Sequence, residues 1–294
     1  MSPVSISEAL QRGVVALQQA RIAEPRRTAE VLLGHVLGKQ QAFLYAHGEE
    51  ALSSGHWTSY WGGIEQRLRG KPTQYITGVQ EFFGLPFRVT PDVLIPRPET
   101  ELLVEQALER VRPGDWVLDI GTGSGAIAIT IRKHRPGAKV VACDLSGTAL
   151  SVARGNAHDL DSVIPLVQAD MAEAFLSHVF DIVVCNPPYI SSNDLSSVQR
   201  EVRDYEPHLA LLGGEDGLRA YRYLSSTACE VLRPGGWLLM EVGYNTSAAI
   251  KPMFAAGPWE SPLLYRDLAG WERVMAVKRL ATSAAARPSH GSYA

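Results

Sequence analysis

Asn186-Pro187-Pro188-Tyr189 follows directly on Phe180-Asp181-Ile182-Val183-Val184-Cys185, an apolar run with the length of a buried strand. The two prolines fix the backbone after Asn186 and carry no N–H, so nearby carbonyls are not taken up by a local helix. The Asn186 side-chain oxygen and the Pro187 carbonyl can then both accept hydrogen bonds from one NH2 group. Tyr189 offers a flat face to a planar partner. An amide or exocyclic amine nitrogen is a poor nucleophile because its lone pair is delocalised. Two acceptors outside its plane favour a pyramidal nitrogen and aim the lone pair at an electrophilic carbon, a contribution of orientation and electrostatics. Asn186, Pro187 and Tyr189 are thus the candidate catalytic residues, and Asn186, Pro187, Pro188 and Tyr189 the candidate substrate site. Taken alone, the tetrapeptide also fits a rigid turn closing a strand.

A second signal precedes it. Val117-Leu118-Asp119-Ile120 leads into Gly121-Thr122-Gly123-Ser124-Gly125, a glycine loop after a strand and before a helix. Glycines let the chain turn sharply and let a ligand approach the backbone. With Ala126 the loop also satisfies the dinucleotide pattern, so a nicotinamide cofactor and S-adenosylmethionine both fit it. Asp119 favours the second, because a carboxylate suits a cationic amino-acid ligand and is awkward beneath a pyrophosphate. Asp144 ends the next strand, where it can accept both ribose hydroxyls. Asp170 ends the third, either bonding an adenine amino group or capping a helix from Met171. A methyl-donor pocket beside a pocket for a planar nitrogen is the combined reading. Residues 121–125, Asp144, Asp170, Met171 and Asn186 are the candidate cofactor contacts.

The elements that position these residues divide the 294-residue chain in two. Residues 1–73 read as short amphipathic helices. Ser7 would cap the first, with Leu10, Val14 and Leu17 on one face. Pro25 opens a second that Gly38 stops, and Trp57, Trp61, Ile64 and Leu68 stripe a third. Residues 74–95 read as a β-hairpin linker, with strand character from Tyr75 to Ile95. Over 96–280, strands at 116–120, 139–143, 164–168, 180–185 and 236–242 alternate with helices near 125–134, 147–157, 195–203 and 217–232. That is the α/β pattern of a doubly wound, mostly parallel sheet. Residues 263–265 and 274–278 add an antiparallel terminal pair. Residues 281–294 read as a disordered tail.

Composition narrows the function classes. Net charge is −3. The first 80 residues carry eight basic against six acidic side chains, and the remainder 20 against 25. No basic stripe of the kind that binds nucleic-acid phosphates is present, although Arg67, Arg69 and Lys71 form a small cluster. No apolar run is long enough to span a membrane, and the N-terminus lacks a secretory pattern. Three spaced cysteines make neither a disulfide framework nor a metal knuckle, and the reducing cytoplasm is the default setting. The eight histidines show no metal-binding spacing.

Beyond the two pockets, Gln74-Tyr75-Ile76-x-Gly78, Glu81-Phe82-Phe83-Gly84-Leu85, Ile95-Pro96-Arg97-Pro98-Glu99-Thr100-Glu101, Glu206-Pro207 and Asp216-Gly217 form a wider pattern. It resembles that of the N5-glutamine methyltransferases acting on peptide chain release factors, from Gln74 to Lys278. The resemblance implies a seven-stranded methyltransferase sheet and S-adenosylmethionine as donor, held by residues 121–125, Asp144 and Asn186. It implies that residues 186–189 bind the glutamine of a Gly-Gly-Gln loop in class I release factors, in the cytoplasm. The 95–101 segment resembles the release-factor enzyme more than its paralogue acting on a ribosomal protein. Thr246 and Glu272 depart from the pattern, and Met171 stands where the family places an aromatic against adenine. Rival readings are an adenine N6 methyltransferase, a non-catalytic donor sensor and a nicotinamide oxidoreductase.

Overall fold

The computed structural model describes residues 4–281, so the tail expected over 281–294 lies, from residue 282 on, outside them. Four helices open the chain: α1 (Ile6–Gln19), α2 (Pro25–Leu37), α3 (Gln41–Ala46) and α4 (Ser54–Leu68). Their shared core contains Leu17, Leu32, Leu33, Leu44, Tyr60 and Ile64. The cap of α1 is Ser5, whose hydroxyl accepts from the Glu8 N–H at 3.2 Å. Ser7 is exposed on the first turn. Burial decides this: the inward line is Ile6, Ala9, Gly13 and Leu17, so the helix must begin early enough to include Ile6. Gly38 stops α2 in the left-handed conformation, as its position predicts.

A short helix, α5 (Thr73–Thr77), precedes a hairpin of β1 (Val79–Phe82) and β2 (Leu85–Arg88). The strand segment is therefore shorter than the expected run from Tyr75 to Ile95. Tyr75 sits on α5, where its hydroxyl donates to the Val93 carbonyl at 2.6 Å and pins the chain beyond the hairpin. Phe83 and Gly84 turn the hairpin with φ of 52° and 72°, the two-residue geometry that matches strand twist. The Phe83 N–H donates to Glu101 at 2.7 Å. That bond fixes the hairpin to α6 (Glu101–Arg110).

Seven strands follow: β3 (Trp116–Ile120), β4 (Lys139–Asp144), β5 (Leu166–Gln168), β6 (Phe180–Cys185), β7 (Leu232–Glu241), β8 (Leu263–Arg266) and β9 (Glu272–Lys278). They form one sheet in the order β5-β4-β3-β6-β7-β9-β8, with β9 antiparallel to both neighbours. Alternating residues feed two apolar layers. Val117, Val184 and Leu239 face Leu103, Val104 and Ala107 of α6 and Ile127, Ile129 and Ile131 of α7 (Ala126–His134). Leu118, Val183 and Leu238 face Tyr221, Leu224 and Ala228 of α10 (Arg219–Val231). Helix α8 (Gly147–Asp159) follows β4, α9 (Arg200–Tyr205) lies between β6 and α10, and α11 (Ser247–Ile250) follows β7.

Three elements differ from expectation. The helix read over 195–203 is a 3-10 turn, Leu195–Ser197, followed by α9. β5 begins at Leu166, after Pro165, which has no N–H to give a ladder. β7 begins at Leu232, directly after α10, with irregular pairing to β6 until Ile182 meets Trp237. The functional consequence lies in the register. Ile120 pairs Cys185 and Cys185 pairs Met240, so residues 121, 186 and 241 leave neighbouring parallel strands side by side. The chain winds from β3 toward β5 and then returns to β6, so this edge is also where strand order reverses, the usual ligand position in such sheets.

The helical bundle supplies a stability test. The Tyr60 hydroxyl is buried with no hydrogen-bond partner, and a Cβ on Gly13 would stand 2.0 Å from it. Tyr60→Phe should stabilise the protein by about 1 kcal/mol, because an unsatisfied buried hydroxyl is removed. Gly13→Ala should cost about 1–3 kcal/mol through overpacking. Denaturant unfolding of both variants measures the two signs.

Candidate functional site

The glycine loop is held from below and beside. The Gly121 and Thr122 N–H groups both donate to the Cys143 carbonyl at 2.9 Å, which fastens the loop to β4. The Gly123 N–H donates to Asp144 at 2.8 Å, and the other Asp144 oxygen accepts from the Ser146 N–H at 2.9 Å. Asp144 therefore ties two strand-end loops together while staying half-buried at the lip. Gly121 and Gly123 have φ of 71° and 54°, and a Cβ on either would project into open space. The side chains of Thr122 and Ser124 are buried in protein, so these residues offer the loop's outer side their backbone. Gly125 leads into α7.

Asp119 lies inside, fully buried. One of its oxygens accepts from the Thr122 hydroxyl at 2.7 Å and the Ala128 N–H at 3.2 Å; the other has no partner. Burial pushes its carboxyl up to about 7. Its first visible task is to hold the loop against the start of α7. Asp170 is exposed, its side chain bonds nothing among the described residues, and no helix begins at Met171, so the capping alternative fails. Met171 has φ 48°, packs against the α10-side core, and accepts from the Cys143 thiol at 3.2 Å through its carbonyl.

Beside the tetrapeptide, a cavity of about 140 Å3 is lined by Arg97, Asn186, Pro187, Tyr189, Val202 and Glu241 among others. Pro187 is buried, while Asn186, Pro188 and Tyr189 are half-buried. The 211–217 loop braces the tetrapeptide. A Cβ on Gly213 would lie 2.6 Å from the Pro188 carbonyl oxygen, and one on Gly217 2.4 Å from that of Tyr189. The Tyr189 ring is backed by Gly243, where a Cβ would stand 2.9 Å from it. Burial pushes the Tyr189 hydroxyl up to about 12, so it is neutral near pH 7.

Four partners of the pocket escaped the sequence reading in their roles. Asn186 donates to the Thr100 hydroxyl at 3.1 Å, and Thr100 donates to Glu241 at 2.6 Å. Arg97 pairs with Glu206, whose carboxylate also accepts from the Ile95 N–H at 3.3 Å. Burial raises the Glu206 carboxyl while Arg97 opposes the shift. A usable signal existed for Glu241: like Asp144, it is an acid ending a strand, after the apolar run Trp237–Met240. Asn156 had none. It is 1% exposed and bonds the Arg88 backbone on both sides (2.7 and 3.0 Å) and the Ser124 carbonyl (2.8 Å), joining hairpin to glycine loop.

The departures at Thr246 and Glu272 carry structural bonds: Thr246 donates to the Gly243 carbonyl at 2.9 Å, and Glu272 accepts from Ser247 and Arg266. The cluster at 67–71 is not a free basic patch. Arg67 is buried and paired with Glu201, and Lys71 donates to Gln66 at 3.0 Å. A larger cavity of about 250 Å3 lies against α2, but its buried acid, Glu30, is already satisfied by Arg26, Gln41 and Tyr45. Among the described residues there is no acidic, histidine and cysteine grouping fit for a metal ion, and no helix long and apolar enough to cross a membrane.

Known proteins are similar to this chain in sequence and in fold. Residues 8–78 match the PrmC N-terminal domain and residues 98–247 the methyltransferase small domain. A release factor glutamine methyltransferase of Koribacter versatilis is 40% identical over 275 residues, 92% of this chain and 98% of the relative. One from Moorella thermoacetica is 41% identical over 275 residues, 92% and 97% of the two chains. The crystal structure of a methyltransferase from Pyrococcus furiosus shares the fold, with a TM-score of 0.52 at 20% identity over 68% of this chain and 91% of that one. A match that runs through both the helical bundle and the sheet, at this identity and over nearly the whole of each relative, shows that the chain belongs to the release factor glutamine methyltransferase family.

Proposed function

We propose that this protein transfers a methyl group from S-adenosylmethionine to the side-chain amide nitrogen of the glutamine in the Gly-Gly-Gln loop of class I release factors. The observation that carries the reading is the register of β3, β6 and β7, which sets the glycine loop, Asn186 and Glu241 at one edge. The residues present fit the donor. The open side of Gly121 and Gly123 leaves room against the backbone, Asp119 keeps one buried oxygen unpartnered, and Asp170 is free at the rim. When bound, S-adenosylmethionine supplies the electrophilic methyl of a sulfonium. The glycine loop would hold it, with Asp144 toward the ribose hydroxyls and Asp170 and Met171 toward the adenine.

The chain's own contribution is orientation. Asn186 Oδ1 and the Pro187 carbonyl take the two N–H bonds of the substrate amide, and Tyr189 stacks on its plane. No base is needed beforehand, since the nitrogen becomes acidic only once alkylated and then releases a proton. The buried floor excludes water, which strengthens these polar contacts. The helical bundle is the element we assign to docking of the intact release factor, because it carries no group capable of the chemistry.

The decisive experiment is transfer of labelled methyl from S-adenosylmethionine to a purified class I release factor. Label should appear on the intact factor and not on its Gln→Ala variant; equal label on both would place the acceptor elsewhere. Asp144→Ala should weaken donor binding by about 1.5–3 kcal/mol in calorimetry, the scale of hydrogen bonds to a charged group. Asn186→Ala should slow single-turnover transfer about 100- to 1,000-fold, as for one lost preorganised contact, with a much smaller loss of donor affinity.

A further inference from the structure

We propose that Thr100 and Glu241 are positioning residues which set the end of the Asn186 amide that faces the acceptor pocket. The inference rests on the reading of Asn186 as acceptor for a substrate N–H. An asparagine amide has a donating and an accepting end, nearly equal in size, and only the accepting end can bind an NH2 group. Something must choose between them. The selection follows from counting protons along the chain of contacts.

Glu241 is 2% exposed and lines the pocket, and Thr100, 4% exposed, bridges it to Asn186. An ionised Glu241 has only acceptors, so the hydroxyl at 2.6 Å must spend its single proton on it. Thr100 then has only lone pairs left for Asn186, 3.1 Å away. Asn186 must therefore present Nδ2 to Thr100 and Oδ1 to the pocket. If Glu241 is protonated the selection is lost, because a carboxylic acid both donates and accepts. Its O–H can then donate to Thr100, Thr100 can donate to Asn186, and the amide can turn its NH2 toward the substrate NH2. In that arrangement two donors face each other and the site is blocked.

The charges around Glu241 come from every side. Arg273 on β9, Arg97 and Glu99 before α6, and Tyr189 act on its carboxyl, Cys185 lies on the neighbouring strand, and Tyr221 on α10 donates to its backbone carbonyl at 2.9 Å. Burial dominates and pushes the Glu241 carboxyl up to about 7, while Thr100 and the arginines pull the other way. The sign is then fixed. Above that pH the acid is ionised and the amide is correctly turned; as pH falls through it, the blocked arrangement grows. Asp119 is pushed to the same range, but it lies under the donor loop and acts on donor binding.

The test is the single-turnover rate against pH, at saturating S-adenosylmethionine, with an intact release factor as acceptor and donor affinity measured by calorimetry for each variant. The wild type should lose about twofold or more in rate as pH falls from about 8 to about 6, across the Glu241 titration at about 7. Glu241→Gln can accept from Thr100 or donate to it but cannot titrate, so whatever its plateau rate the acid limb should vanish, while the limb due to Asp119 stays in donor affinity. Thr100→Val should slow transfer about tenfold near neutrality, the scale of one lost hydrogen bond, with donor affinity intact. Thr100→Ser should remain near wild type and keep the acid limb. An acid limb that persists in Glu241→Gln, or a Thr100→Val enzyme at wild-type rate, overturns the proposal. So does an equal loss in Thr100→Ser, which would assign the effect to packing. If Asn186→Ala is slow while Thr100→Val is not, the relay fails and the acceptor reading stands; if Asn186→Ala is itself at wild-type rate, both fall.

Discussion

Everything at the site depends on the parallel pairing of three strands. β3, β6 and β7 end in step, and a shift of one residue in either ladder would turn Asn186 or Glu241 into the opposite apolar layer. Burial enforces the register. Val183, Val184, Leu238 and Leu239 have no exposed surface, and each layer is already filled by helices. The chemistry-bearing residues are thus placed by side chains that do no chemistry. The loops after the strands inherit their positions from the core.

The same edge concentrates buried acids. Asp144 and Glu241 close β4 and β7 and Asp119 is next to last in β3, and each carboxyl holds a neighbouring loop or helix in place. Burying a carboxyl costs free energy unless hydrogen bonds meet it, which is why the middles of β3, β4 and β6 are apolar and their acids stand in the first or last two positions. Asp119 and Glu241 stay fully buried with an incomplete set of partners, and the rise of both carboxyls toward 7 is the physical cost of that placement. A fold tuned for stability alone would put apolar side chains there.

The sheet was readable in the sequence because its strands are apolar runs bounded by Gly, Pro or acid. β3 and β6 fall at the expected residues, and the two signals of the site follow them. What escaped reading was contact between distant segments. Thr100 and Asn186 are 86 positions apart and Arg88 and Asn156 are 68 apart, and no local pattern encodes either pair. Ser7 looked like a cap because Ser-Glu is a good helix start, yet burial of Ile6 moved the start to Ser5. Tyr75 had strand-like composition but lies on a helix, since its hydroxyl has a partner at Val93. Tertiary contacts overrode propensity in both cases.

The bundle of α1 to α4 has a core of its own. It reaches the acceptor side through α9, where Arg67 pairs with Glu201 and the Tyr205 hydroxyl donates to the Arg69 carbonyl at 3.1 Å. Beyond α9 stand Glu206 and its Arg97 partner at the pocket wall. The donor loop has separate anchors on β4, α7 and α8. Ile76 of α5 also packs against the bundle core, so the bundle meets the rest of the chain through one apolar contact region and these polar bonds. Bonds from the bundle thus end on α9 beside the Asn186 cavity, while the bonds of the glycine loop come from β4, α7 and α8, so a disturbance of the bundle has a direct structural route to one wall of the cavity and none of these bonds carries it to the loop.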